Sequence, residues 1–349
     1  YPRIIAGPLI PEELGDTRIY DETEKWWGLT QEQILNLRMH LVRGKSTFDI
    51  HEITSNRLLN SIREIGLADT PVDIEVLFKK PPHQKLTLDA DVQPMGPSAP
   101  LEKLRIESNT TNQWMQRATD DSDLKASEGV VELSSKVNQT AITRAFSLGL
   151  LGEKTARKLV PTRWAITAVD SALGLHHWKN LVHHQLLNEF RIYETDFLAN
   201  RFVILAIPGQ WGYELIEAFF PGSAWNPEGN ISMVNDWEGL KGRKTYARIG
   251  GCYYAARNMC SEYLNNQRLQ CKMIIFRESY PEFLMPLGVW LTREAVRQAL
   301  SKPFLKFDTL EEAKTLLKER LRIPLGHWKE ISGILSHDKS TRQKSLYAY

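Results

Sequence analysis

Cysteine is scarce in this sequence, since only Cys252, Cys260 and Cys271 occur among 349 residues. An odd number of cysteines without a C-x-x-C pair predicts neither a disulfide framework nor a zinc site. Such a chain suits a reducing compartment, and we expect a cytoplasmic protein.

Long apolar runs are absent as well. No window reaches the roughly 18 consecutive apolar residues of a transmembrane helix. Residues Tyr1 to Pro11 contain three prolines instead of the charged and apolar regions of a signal peptide. We therefore expect neither secretion nor membrane insertion.

A strong net charge is the third absence, because 44 Lys and Arg nearly balance 42 Asp and Glu. A net charge of +2 creates no long-range field that would by itself indicate nucleic-acid binding. Any basic surface must therefore be local.

The order of predicted elements is mixed, without internal repeats or a regular βαβ alternation, which favours the α+β class with largely antiparallel sheets and flanking helices. The length and an apolar fraction of 42% allow two cores. We expect an N-terminal region over 1–150, a C-terminal region over 151–335 and a flexible tail over 336–349.

Local patterns predict the individual elements. Thr30 and Gln33 form a capping-box pattern that opens a helix, which Gly44 is expected to end. The other predicted helices are His51 to Ile65, Asn138 to Lys158 with turns at Gly149 and Gly152, Cys252 to Leu269, Thr292 to Leu300, and Leu310 to Leu321 capped by Asp308 or Thr309. The predicted strands are Val72 to Phe78, Lys85 to Val92 followed by a loop over Met95 to Pro100, Phe190 to Ile207 paired antiparallel with Tyr213 to Phe220 across Pro208 and Gly209, and Met273 to Phe276.

The C-terminal tail carries a spaced apolar motif. Gln343, Leu346 and Tyr349 follow each other at i, i+3 and i+6, so one 3₁₀-like turn would place the leucine and the tyrosine side by side. This Q-x-x-L-x-x-Y arrangement, with Tyr347 inside it, resembles the peptide by which many replication and repair proteins bind the sliding clamp (PCNA). The alternative is a terminal element that packs on its own domain.

A second group of candidate residues follows Pro161. Thr162, Arg163 and Trp164 precede an alternating, strand-like run that ends at Asp170. Arginine suits bidentate phosphate binding and tryptophan suits base stacking, so these residues are candidates for a nucleotide or DNA site. A structural hydrogen-bond network is the alternative.

A third group combines cations with paired glycines. Arg243, Lys244 and Arg248 come shortly before Gly250 and Gly251, which open a predicted helix containing Arg257. Free amides at a helix start favour an anion, so this segment is a second candidate for nucleotide or DNA binding. The spacing matches neither a P-loop nor a dinucleotide fingerprint, and a tight structural turn is equally compatible.

Other polar residues carry weaker signals. His176, His177, His183 and His184 lack an H-E-x-x-H pattern, so we interpret them as solvated histidines and predict no metal in this chain. Glu214, Glu217 and Glu278, together with Asp170, are candidates for acid/base chemistry, because a buried acid needs a partner or a role. The sequence identifies no cofactor.

Several ordered segments, taken together, resemble the archaeal Nre family of DNA repair proteins along nearly the whole chain. These segments include Leu41-Val-Arg-Gly44, Gly96-Pro-Ser-Ala-Pro-Leu101, Val160-Pro-Thr-Arg-Trp164, Pro221-Gly-Ser-Ala-Trp-Asn226 and Gly250-Gly-Cys-Tyr-Tyr-Ala-Ala-Arg257. Many members begin with a cysteine-rich, zinc-binding segment; the printed sequence begins at Tyr1 without it, so that metal site is not carried over.

The resemblance implies a DNA-damage-response protein that binds the sliding clamp through Gln343, Leu346 and Tyr349 and acts on DNA. It leaves open whether the protein is catalytic. Two alternatives remain beside a clamp-tethered DNA-binding factor. One is an enzyme acting on nucleic acid or a nucleotide-type metabolite, with the Pro161 and Gly242 segments in one pocket. The other is a noncatalytic scaffold.

Overall fold

The computed structural model describes residues 2–52, 56–84, 94–108 and 110–337. The chain divides into two compact units: unit 1 is Tyr1–His176 with Pro286–Trp290, and unit 2 is His177–Met285 with Leu291–Tyr349. Each unit combines helices with a mixed sheet, which confirms the predicted α+β class. The units divide at His176, whereas the sequence placed a boundary near residue 150.

Unit 1 contains a five-stranded sheet with the order β1-β3-β5-β4, in which β2 also pairs with β3. Short 3₁₀ turns at Arg18–Tyr20 and Thr23–Trp26 precede the first helix. The strands are β1 (Arg3–Ala6), β2 (Leu9–Pro11), β3 (Leu41–Asp49), β4 (Asp73–Phe78) and β5 (Ser98–Ser108). The helices are α1 (Gln31–Met39), α2 (Arg57–Gly66), α3 (Gln113–Asp120), α4 (Ala126–Ser134), α5 (Gln139–Ser147) and α6 (Thr162–Leu181), which continues into unit 2.

Local capping signals fix several helix starts in unit 1. Thr30 and Gln33 form the predicted capping box at α1. The side chain of Asn56 accepts hydrogen bonds from Leu58 N and Leu59 N, so α2 begins after it and not at His51. The helix α1 ends at Met39, and the prediction that it reaches Gly44 is wrong because Leu41–Asp49 pairs with strands on both sides as β3.

Two further predictions in unit 1 need correction. The strand-like run after Pro161 is the helix α6, in which Ala165, Val169 and Leu173 are buried at a spacing of four residues. The predicted loop over Met95 to Pro100 ends earlier, because Ser98 begins β5. The strand predicted over Lys85 to Val92 lies outside the described residues.

Unit 2 contains a seven-stranded sheet with the order β10-β9-β11-β8-β7-β12, and β6 pairs with one end of β11. Its strands are β6 (Gln185–Leu186), β7 (Phe190–Phe197), β8 (Asn200–Pro208), β9 (Gly212–Phe219), β10 (Ser232–Glu238), β11 (Leu269–Ser279) and β12 (Leu305–Phe307). Its helices are α7 (Gly251–Gln267), α8 (Trp290–Ser301), α9 (Leu310–Arg320), α10 (Leu325–Ile331) and α11 (Gly333–His337). Thr309 caps α9 and forms a capping box with Glu312. The sequence had predicted either Asp308 or Thr309 as this cap.

The prediction that the two β-rich stretches pair with each other is wrong. The first stretch is itself a hairpin, β7–β8, whose turn residues Leu198 and Ala199 have φ values of 49° and 55°. The strand β11 separates β8 from β9; it is antiparallel to β8 and parallel to β9. Its apolar residues are buried on both faces of the sheet, which gives this strand the central position.

Packing on the unit 2 sheet explains the apolar runs. Alternate residues Val203, Leu205 and Ile207 of β8 join a core with Leu317 of α9 and Trp328 of α10. The intervening residues of β8 are also buried, because the opposite face of the sheet is covered too. In the described part of the chain, no helix is long and apolar enough to cross a membrane.

Candidate nucleic-acid interface

The outer edge of the unit 2 sheet borders a polar cleft of about 570 Å³. The strand β10 is the edge strand, and the segment after it folds back along that edge. The cleft is lined by Asn235, Asp236, Trp237, Glu238, Gly239, Gly242, Arg243, Lys244, Thr245, Arg248 and Ile331. It therefore contains Arg243, Lys244 and Arg248, three of the predicted nucleotide- or DNA-binding residues.

The two arginines of the cleft donate hydrogen bonds to backbone carbonyls at the exposed edge of β10. Arg243 Nη1 donates to the carbonyl of Trp237 at 3.2 Å, and Arg248 Nη2 donates to the carbonyl of Asn235 at 3.2 Å. An edge strand otherwise presents unpaired backbone groups. The arginines thus hold the segment against the sheet and bring their charge to the cleft.

Asp236 neutralises part of that charge. Its carboxylate pairs with Arg243 Nη1 at 2.9 Å and accepts a hydrogen bond from Ile249 N at 2.9 Å. Burial by itself lowers the pKa of Arg243, but Tyr253 and Asp236 outweigh it and raise the pKa. Arg243 is thus a structural cation, and the charges of Lys244 and Arg248 lie at the exposed surface.

Two aromatic rings lie in the same region. Trp237 lines the cleft and is 41% exposed, while Tyr246 is 65% exposed and packs against Tyr254 with ring centroids 5.3 Å apart. Proteins that bind single-stranded nucleic acids use exposed aromatic rings to stack on bases and neighbouring cations to contact phosphates. Neither Trp237 nor Tyr246 was among the binding residues predicted from the sequence.

The paired glycines open α7, as predicted. Gly250 is the N-cap residue of α7, and its φ of 76° lies in the left-handed region that favours glycine. Because glycine has no side chain, it makes no side-chain capping hydrogen bond. Gly251 is the first helical residue. Neither glycine lines the cleft.

Arg257 lies inside the protein and not at the cleft surface. Its Nε donates to Glu238 Oε1 at 2.6 Å, and both side chains are almost fully buried. Glu238 also accepts from Trp211 Nε1 and Tyr253 OH, each at 3.1 Å. Arg257 is therefore committed to an internal network that anchors α7 to β10.

The other predicted binding residues lie at the start of α6. Thr162, Arg163 and Trp164 occupy its first turn, and Trp164 is 47% exposed. Asp170, two turns further along, is buried and accepts a hydrogen bond from Gln139 Nε2 at 2.6 Å. Residues 162–164 belong to unit 1, whereas the cleft belongs to unit 2. A single pocket that contains both the Pro161 and the Gly242 segments therefore stays a prediction.

The candidate acids Glu214, Glu217 and Glu278 all belong to buried networks. Glu214 accepts from Ser332 Oγ, Gly333 N and Ile334 N at 2.6, 2.7 and 3.1 Å, which holds the start of α11. Glu278 accepts from Arg322 N, Ile323 N and Tyr280 OH.

Glu217 pairs with Arg277 Nη1 at 2.6 Å. None of these three carboxylates lines the cleft.

The predicted histidines do not form a ligand cluster. His176 and His177 lie within α6. His184 follows that helix, and its Nε2 lies 3.0 Å from Asn265 Oδ1. Within residues 2–52, 56–84, 94–108 and 110–337, no group of three or more His, Cys, Asp and Glu is arranged to hold a metal ion. The clamp-binding candidates Gln343, Leu346, Tyr347 and Tyr349 lie outside the described residues.

Two family models match the sequence on either side of residues 227–237, a stretch that includes most of β10. The model of the N-terminal part of archaeal Nre matches residues 1–226, and the model of the C-terminal part matches residues 238–349. The chain belongs to the archaeal Nre family. The resemblance found in the sequence is thereby confirmed, and the cleft lies where the C-terminal Nre model begins.

Curated Nre relatives match over most of their length. The chain is 35% identical to the DNA repair protein NreB of Archaeoglobus fulgidus over 351 residues, covering 100% of this chain and 88% of that protein. It is 29% identical to the DNA repair protein NreA of Haloferax volcanii, covering 93% of this chain and 80% of that protein. No solved structure matches this Nre chain.

Proposed function

We propose that this Nre protein acts in DNA repair by binding single-stranded DNA along the polar cleft of unit 2 while its tail binds the sliding clamp. The repair role agrees with the names of its relatives. The observation that carries the DNA contact is the cleft itself, where exposed cations and exposed rings adjoin one sheet edge.

Two kinds of contact support this assignment. Lys244 and Arg248 supply charge at the surface, and Arg248 keeps donors beyond its one bond to Asn235 O. Trp237 and Tyr246 supply flat apolar surfaces for bases. Such a site binds the backbone and the base faces, so it is expected to be tolerant of sequence.

The tail supplies localisation in this proposal. Gln343, Leu346 and Tyr349 form the Q-x-x-L-x-x-Y pattern, and short peptides of this kind bind at about micromolar Kd, roughly 8 kcal/mol. Binding to the clamp would raise the local concentration of the DNA-binding cleft near its substrate.

A catalytic role receives less support. Glu214, Glu217 and Glu278 are occupied by buried partners. Glu238 does line the cleft, but its oxygens already accept from Trp211, Tyr253 and Arg257. We therefore favour a binding protein over an enzyme acting on nucleic acid.

The DNA contact can be tested by fluorescence anisotropy with a labelled single strand. Lys244→Gln with Arg248→Gln should weaken binding and lower the slope of log Kd against log salt by about 1.4, roughly 0.7 for each lost phosphate contact. The matched control is Lys318→Gln, an exposed lysine on α9. An unchanged salt slope in the double variant would remove the cleft from the DNA interface.

The tether can be tested separately by calorimetry against the clamp. Leu346→Ala with Tyr349→Ala, or a chain ending at Thr341, should lose clamp binding, whereas Lys339→Ala should keep it. Equal clamp binding by the truncated and intact chains would exclude the tail as the tether. Neither change should affect DNA binding in the absence of the clamp.

A further inference from the structure

A second basic surface lies in unit 1, on one face of β3. Arg43 and Lys45 are two residues apart on this strand, so their side chains project to the same face. In the register with β5, Arg43 pairs with Ser98 and Lys45 pairs with Pro100. We call Arg38, Arg43 and Lys45 the β3 basic face.

Arg38 is brought to this face by the segment before β5. Its Nε donates to Pro94 O at 3.3 Å, and its carbonyl accepts from Gly96 N at 3.1 Å. Arg43 N donates to Pro97 O at 2.8 Å, so the same short segment contacts both arginines. The Arg38 guanidinium also lies 5.8 Å from the ring centroid of Trp26.

No carboxylate among the described residues forms an ion pair with Arg38, Arg43 or Lys45. Arg43 Nε is buried there without a hydrogen-bond partner. Some other arginines of the described residues pair with carboxylates at similar or deeper burial, among them Arg243, Arg257 and Arg277. A buried donor without an acceptor costs free energy and therefore needs an explanation.

The cations also repel one another. Burial lowers the pKa of Arg38; Asp21 raises it, and the charge of Arg43 lowers it by a smaller amount. Burial and Arg43 lower the pKa of Lys45 in the same way. The carboxylate of Asp21 pairs with Arg144 at 2.8 Å. The face thus holds several positive charges close together and only partly in water.

The geometry suits a tetrahedral oxyanion. A guanidinium presents a planar fork of donors, a lysine adds a point charge, and the neighbouring Ser98 carries a hydroxyl. Side chains that are half-buried remain reachable from solvent while being less screened than a fully exposed cluster.

We propose that the β3 basic face binds a phosphate group, from the DNA backbone or from a free phosphate compound, at a site independent of the unit 2 cleft. The phosphate oxygens would accept from Lys45 Nζ and from those donors of Arg38 and Arg43 that are not buried.

The first test is thermal unfolding of the full chain in inorganic phosphate and in chloride at equal ionic strength. The test variant is Arg43→Gln with Lys45→Gln, and the matched control is Lys103→Gln with Arg105→Gln, two exposed cations on β5 of the same sheet. Phosphate should give a saturable rise in Tm of several degrees for the parent and the control. The test variant should lose that rise.

The chloride arm has its own expected result. Removing uncompensated cations should leave the test variant at least as stable as the parent in chloride. A phosphate response of the test variant equal to that of the control would overturn the proposal. If the double variant does not fold, Lys45→Gln alone should still halve or abolish the phosphate response, and an unaltered response would count against the site.

A second arm distinguishes the two sources of phosphate. Anisotropy with a labelled single strand compares the test variant with its control, while the cleft residues stay unchanged. Binding several-fold weaker than in the control identifies the DNA backbone as the ligand. Unchanged DNA binding with a lost response to inorganic phosphate identifies a free phosphate compound, and loss of neither overturns the site.

Discussion

Arg277 offers a sharp test of how unit 2 is held together. Arg277 is 1% exposed, and its guanidinium donates to Glu217 Oε1 at 2.6 Å and to Asn200 Oδ1 at 3.0 and 2.8 Å. The rings of Phe202 and Trp225 lie 5.5 and 5.2 Å from it. The cation therefore joins β11 to β8 and β9 inside the sheet.

Replacing Arg277 with Met removes the charge but keeps much of the volume. Glu217 then remains buried without its partner, and breaking a buried pair in this way costs about 3–5 kcal/mol. Arg277→Met with Glu217→Leu removes both charges and should recover most of that loss. The readout is the free energy of unfolding from urea titration of all variants.

The control is Arg201→Met, which breaks ion pairs to Glu194 and Asp196 at a more exposed position of the same sheet. That change should cost less than about 1 kcal/mol. The account of the buried pair is refuted if Arg277→Met also costs less than about 1 kcal/mol, or if the double variant is no more stable than the single one.

Three further predictions address other contacts. Glu214→Gln should destabilise unit 2 by about 3 kcal/mol in urea titration, because the donors of Ser332, Gly333 and Ile334 lose a charged acceptor; unchanged stability with altered turnover would instead indicate a catalytic group. Thr309→Ala should cost about 1 kcal/mol through the lost capping box, with Thr315→Ala, which leaves that box intact, as its comparison.

Burial raises the pKa of Cys271 from 9.0 to about 12, although Arg191 lowers it. Folded Cys271 therefore keeps a proton that the unfolded chain releases, so this group alone lowers the free energy of unfolding by about 1.4 kcal/mol per pH unit as the pH rises between these values. Cys271→Ala should make the measured slope shallower by about that amount, and an identical slope would contradict the assignment.

The sequence predicted well where a few neighbouring residues decide the outcome. Thr30 and Thr309 cap helices through contacts three residues away, and both helices begin there. The hairpin β7–β8 escaped prediction because Leu198 and Ala199 occupy left-handed turn positions without glycine or asparagine. The separation of β8 from β9 by β11 is a long-range choice that no local pattern contains.

The candidate site shows the same limit. Arg243, Lys244 and Arg248 were selected from their local charge and do line the cleft. Arg257 was selected on the same grounds, but its partner Glu238 lies on another strand and keeps it buried. The β3 basic face was not predicted, because the first helix was expected to continue to Gly44. In a strand, Arg43 and Lys45 project to the same face, and that relation appears in the sequence only if residues 41–49 are assigned to a strand.

The binding of DNA at the unit 2 cleft can be measured directly by photo-cross-linking. A single strand carrying 5-iododeoxyuridine at several positions is irradiated with the full chain, and the linked peptides are mapped by mass spectrometry. We expect cross-links at Trp237 or Tyr246, the exposed rings beside Lys244. Cross-links confined to residues away from 235–248 would contradict the central claim.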